Sequence, residues 1–197
     1  MVFGLLAMAQ GYIAASDYPP EALKQHHEGI VEVELVVDPT GRLANCAVTH
    51  STRWPELDAT TCELFKQRAK YAPAQDNHGR KLGYVYRMRI NWLLDPKHAS
   101  SVASPPLDQL HVNAALDPSK KSIVAMSVIV SATGAILTCN VNDLITKDSA
   151  LKTVDVVDQA CSDFARLGKH DVMMDSDGNP MVYAREQRFQ LVGTVQR

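Results

Sequence analysis

Val31, Val33, Leu35 and Val37 stand two residues apart, with Glu32, Glu34 and Asp38 on the other parity, so the segment predicts a half-buried β-strand. Asp38-Pro39-Thr40-Gly41 follows as a turn, proline supplying a fixed φ and glycine a permissive one. Leu43 to Thr49 then returns as the second strand of a hairpin. Pro55 opens a helix of about four turns that carries Leu57, Thr61, Leu64, Phe65 and Arg68. After a second turn, Asp76-Asn77-His78-Gly79, comes the cleanest alternation in the chain. Tyr84, Tyr86, Met88, Ile90 and Trp92 share one face, and Arg87, Arg89 and Asn91 the other.

The same plan recurs downstream. Cys46 lies five residues after Gly41, and Cys139 five after Gly134. Cys62 and Cys161 each precede a glycine, Gly79 and Gly178, by seventeen residues. Tyr84 and Tyr183 stand five residues after those glycines, and Arg89 and Arg188 ten after them. Val124, Met126, Val128 and Val130 hold the offsets before Gly134 that Val31 to Val37 hold before Gly41. These coincidences predict a duplicated module. The second copy reads as strand Ile123–Val130, turn Ser131–Gly134 and strand Ile136–Val141. A helix with Val154, Val157, Cys161, Phe164 and Gly168 on one face and a strand Met181–Leu191 complete it. The Ser-, Pro- and Ala-rich stretch 95–106 reads as a linker. The expectation is an α+β protein of two tandem modules, 17–94 and 107–197, each an antiparallel three-stranded sheet with a helix packed on one face.

In each copy one cysteine falls in the second strand and the other on the core face of the helix, Cys62 in phase with Phe65 and Ala69. Disulfides Cys46–Cys62 and Cys139–Cys161 are expected, each contributing roughly 3 kcal/mol by loop closure. Zinc is the rival, although no Cys-x-x-Cys is present, and buried free thiols are the bland alternative. Met1 to Ser16 carries no charge, and Val2–Ala9 is an apolar run closing on Ala7-Met8-Ala9. That pattern suggests a signal-peptide remnant over residues 1–16, cleaved before Gln10, rather than a packed terminal strand or helix. Its missing basic flank suggests a true start further upstream. The run falls well short of the ~20 apolar residues a membrane span needs.

The formal net charge of −2 is spread evenly, with no basic block for a nucleic acid to meet. Neither Gly-x-Ser-x-Gly, His-Glu-x-x-His nor a phosphate-binding glycine loop occurs. His50 and Ser51 are adjacent on a strand and so point to opposite faces, and His26-His27 reads as solvent-facing. No catalytic residue, cofactor, metal or small-molecule substrate is expected.

Asp17-Tyr18-Pro19-Pro20-Glu21-Ala22-Leu23, Gly29-Ile30-Val31-Glu32-Val33, Val37-Asp38-Pro39-Thr40-Gly41, Leu57-Asp58, Tyr71-Ala72-Pro73-Ala74 and Asp76-Asn77-His78-Gly79 occur in this order. In sum they resemble the TonB C-terminal domain family over residues 17–94, and residues 107–197 resemble a diverged copy. The resemblance implies a periplasmic, energy-transducing system in which the domain captures an extended segment of an outer-membrane transporter or other envelope protein by strand addition. The strand Gly83–Leu93 would be the receiving edge, with Tyr18, Pro19, Val85, Arg87 and Arg89 as partner-binding residues. The alternative is a structural envelope or peptidoglycan-binding module without a transport role.

Overall fold

The computed structural model describes residues 14–68, 70–95, 97, 106–112, 116–117, 119–146, 153–166 and 170–193. The expectations for the signal-peptide remnant before residue 14, for Ala69 and Gly168 and for most of the linker lie outside the described residues, as do the side chains of Val154 and Val157. The fold is α+β and mostly sheet. The chain divides into two compact units, Met1–Pro105 with Met174–Asn179 and Pro106–Met173 with Pro180–Arg197.

In the first unit, α1 (Pro20–Lys24) precedes β1 (Gly29–Val37), β2 (Leu43–His50), α2 (Pro55–Arg68), β3 (Ala74–Gln75) and β4 (Lys81–Trp92). β1 is central, antiparallel to β2 on one side and β4 on the other, and β3 pairs with the start of β4. The alternating residues Val31, Val33 and Leu35 are completely buried and meet Leu57, Leu64 and Phe65 of α2, with Ala22 and Trp92 in the same cluster. Thr61 joins this helix face because its hydroxyl donates to Leu57 O and accepts the Trp92 indole N–H at 2.9 Å. Glu56 and Asp58 in the first turn of α2 and Lys66 and Arg68 in the last complement the helix dipole. Gly41 has φ +89° and donates its N–H to Asp38 O. A Cβ there would stand 2.5 Å from the Tyr71 carbonyl oxygen, so the turn requires glycine on two counts.

In the second unit, β5 (Asp108–Val112) precedes β6 (Ile123–Val130), β7 (Ile136–Ile145), α3 (Thr153–Arg166) and β8 (Tyr183–Gly193). β6 is central and antiparallel to β7 and β8. Val124, Met126, Val128 and Val130 are buried, as are Ala160 and Phe164 of α3 and Tyr183, Phe189 and Leu191 of β8.

Three-stranded antiparallel sheets therefore do not describe the units. The first adds the two-residue β3, and the second adds β5, which runs parallel to β8. β5 has too few alternations to stand out in sequence: only Leu110 and Val112 are apolar and buried. The poor alternation of β8 also has a cause, since Arg185 and Gln187 stand opposite the buried Val128 and Met126.

Both disulfides are present, Cys46–Cys62 with Cα atoms 5.7 Å apart and Cys139–Cys161 with 5.8 Å. The hairpins of the two units also share an irregularity. Register shifts leave Ala44 and Thr49 as extra residues in β2, and Leu137 and Asn142 as extra residues in β7. Each pair stands three and eight residues after the glycine of its turn.

Candidate functional site

Within the first unit β2 and β4 flank the central β1, and they differ as platforms for another strand. β2 carries the two bulges, which bend and over-twist a strand and discourage further pairing. β4 runs in unbroken register with β1 over nine residues, from Val37 opposite Tyr84 to Gly29 opposite Trp92. Its helix-side row of Tyr84, Tyr86, Met88 and Ile90 is half-buried and ends in the buried Trp92.

The structure places the five sequence-derived partner-binding residues in three different settings. Arg87 and Arg89 are exposed on the opposite face, each directly across from a glutamate of β1: Arg87 lies 3.6 Å from Glu34 and Arg89 3.2 Å from Glu32. Such cross-strand ion pairs contribute roughly 0.2–1 kcal/mol each, and here they offset the arginine charge within the sheet. The alternation of Glu32 and Glu34 is visible in the sequence, but that they stand opposite these arginines follows only from the register of the paired strands. Val85 is completely buried, opposite the equally sequestered Val36, on the same face as the arginines.

Tyr18 and Pro19 belong to the packing at the far end of β4. The Tyr18 ring meets Trp92 edge-on with centroids 5.1 Å apart, and its hydroxyl donates to His27 O. Burial, and then the charge of Glu28, raises the Tyr18 hydroxyl above the usual tyrosine range. Pro19 is the N-cap residue of α1, the short helix that seats Ala22 in the core. Asp17 beside it takes both terminal nitrogens of Arg68 at 2.6 and 2.7 Å, and this hydrogen bonding lowers its carboxyl. His27 stacks on Trp54 with centroids 3.5 Å apart and hydrogen-bonds Glu56, which lowers the Glu56 carboxyl. Glu28 accepts the Leu94 N–H at 2.6 Å and fixes the chain as it leaves β4.

At the opposite end of β1, the Asp38 side chain is 1% exposed. Burial alone would raise its carboxyl, yet donation from the Ser176 and Thr40 hydroxyls and the N–H groups of Arg42 and Thr40 holds it far below the usual range. These contacts order the turn that follows β1. Among the described residues no three His, Cys, Asp or Glu side chains stand together as metal ligands. Among the same residues no helix is long and apolar enough to cross a membrane. β4 presents an aligned β-ladder with an aromatic and aliphatic row along one side.

Residues 14–94 match the family model of the Gram-negative bacterial TonB protein C-terminal. The match takes in α1 through β4 and stops short of β5, so the reading of residues 107–197 as a second copy has no family match behind it. No curated protein and no solved structure matches the chain.

Proposed function

We propose that residues 14–94 form a TonB-like protein-binding domain of the Gram-negative periplasm, and that β4 captures an extended segment of an outer-membrane transporter or another envelope protein by strand addition. The observation that carries this reading is the unbroken β1–β4 register beside a twice-bulged β2, joined to the family match over the same residues. A strand edge offers unsatisfied N–H and C=O groups at a fixed spacing, and a continuous ladder is what an incoming segment can extend. The domain belongs to energy-coupled envelope transport as a binding partner, with no catalytic step of its own. The Arg87–Glu34 and Arg89–Glu32 pairs leave little net charge on the outer face, so affinity comes from the backbone ladder and the row Tyr84, Tyr86, Met88 and Ile90. The second unit is a diverged copy of the first, with the glycine turns, bulge positions and disulfide placement in common.

Proline scanning of the full chain tests the reading, because proline removes one ladder N–H and alternate amides point to opposite edges. Arg87→Pro and Arg89→Pro share one parity, and Met88→Pro has the other. One parity should break the β1 ladder and unfold the domain. The other should keep the circular dichroism of the parent and abolish binding to peptides from the periplasm-facing N-termini of outer-membrane transporters. The reading fails if folded proline variants bind those peptides as well as the parent, or if the parent binds none.

A further inference from the structure

The second unit contains a strand that the hairpin-helix-strand plan does not call for. β6 pairs with β8 along Tyr183–Gln190, and β5 pairs with it along Phe189–Gly193. Phe189 and Gln190 take part in both registers, so β5 lies on the edge of β8 that faces away from β6. The Leu191 N–H donates to Ser122 O, next to the start of β6, so the neighbouring amides of Gln190 and Val192 point toward β5. β5 is held there by contacts of definite chemistry. Leu110 and Val112, each 1% exposed, enter the core two residues apart, and β5 packs against α3. Asp108 accepts a hydrogen bond from the Gln187 side chain at 2.6 Å. The pairing is parallel and five residues long, the less stable of the two ladder types per residue.

We propose that the β8 edge beside α3 is a strand-accepting site whose resident ligand is the chain's own β5, and that an extended partner segment of the pattern Asp-x-Leu-x-Val, apolar two residues apart, displaces it. β5 serves as the template for that partner. It shows the direction of pairing, the two apolar sockets and the amide side chain that receives a carboxylate two residues upstream. β5 follows a Ser-, Pro- and Ala-rich stretch of sequence, so it competes as a tethered ligand at high effective concentration. An external segment therefore binds only when it matches the sockets better or when β5 is withdrawn. This inference stands on β5 and β8 alone, and its test leaves β4 intact.

The test uses the full chain and a labelled peptide of residues 106–112. Leu110→Ser with Val112→Ser vacates the sockets, and that variant should bind the peptide at least tenfold more tightly than the parent. A peptide carrying the same two serines should bind neither protein. Equal binding by parent and variant, with the variant's circular dichroism and both disulfides unchanged, overturns the proposal. Hydrogen exchange on the parent decides the matter if the variant does not fold. The Gln190 and Val192 amides should exchange at least a hundredfold faster than those of Val124–Val130, through release of β5. Exchange of both groups in one cooperative step makes β5 an integral strand and overturns the proposal. A parent that dimerises by trading β5 between copies overturns it as well.

Discussion

Four glycines adopt nearly the same left-handed backbone, and they provide a matched test of what the turns require. Gly41, Gly79, Gly134 and Gly178 have φ of +89°, +77°, +82° and +83°. Alanine at any of them incurs the left-handed penalty of about 1 kcal/mol. The surroundings then separate the four. A Cβ on Gly79 or Gly178 meets nothing within 4 Å, whereas on Gly41 it would lie 2.5 Å from the Tyr71 carbonyl oxygen, and on Gly134 it would press on the His170 carbonyl as closely. Those carbonyls are main chain and cannot swing aside, so relief requires the connector after α2 or α3 to move. Overpacking of this kind adds about 1–3 kcal/mol. Gly79→Ala should therefore cost about 1 kcal/mol and Gly41→Ala about 3 kcal/mol. Trp54 and Trp92 are the two tryptophans of the chain, and both lie in the first unit, so their emission during urea unfolding reports that unit. With a urea slope near 2 kcal/mol/M, the gap between the two variants corresponds to about 1 M in midpoint. Equal losses within about 0.5 kcal/mol, the usual scatter between independent sites, would refute the claim that the Tyr71 carbonyl enforces glycine at position 41.

Thr61→Val leaves the Trp92 indole N–H buried without an acceptor and should cost about 1–3 kcal/mol, and a double-mutant cycle with Trp92→Phe should recover part of that loss. Non-reducing peptide mapping should find Cys46–Cys62 and Cys139–Cys161 and no crossed pair, and replacing either pair with alanines should cost about 3 kcal/mol. The depressed carboxyl of Asp38 is deprotonated more readily in the folded than in the unfolded chain. Its stabilising contribution is thus complete above the unfolded carboxylate value of about 4 and is lost as pH falls below it. Unfolding midpoints taken from pH 7 down to pH 3 should decline less steeply for Asp38→Asn than for the parent.

The parts of the fold that could be read from sequence are those in which one residue type has one physical use. Val31 to Val37 alternate and are buried on the side facing α2, and the Asp-x-x-Gly turns bring glycine to a positive φ. The cysteines could be paired because a strand position and a helix core face converge on the same small interior. β5 was not legible, because two buried apolar residues beside a Ser- and Pro-rich stretch make no periodic signal. Val85 is a different case: parity placed it with Arg87 and Arg89 on the face away from α2, yet that face is covered where Val85 meets Val36. Periodicity states which side a residue occupies and not what covers that side. The arginine charge on β4 was likewise visible, while its cancellation by Glu32 and Glu34 depends on a register that only the paired strands define.

The placement of the disulfides limits how far the chain can be stretched. Cys46–Cys62 spans 16 residues and Cys139–Cys161 spans 22. A fully extended residue covers about 3.5 Å, so under tension the two bridges withhold about 55 Å and 75 Å of contour length. Load applied to an unravelled unit passes through sulfur from the second strand of the hairpin into the helix, and the residues between the cysteines stay slack. In a force-extension trace, a reductant should lengthen the rip from the first unit by about 55 Å and that from the second by about 75 Å. Oxidised protein pulled by its ends therefore yields over a shorter distance than reduced protein, with each bridge setting where its unit stops lengthening.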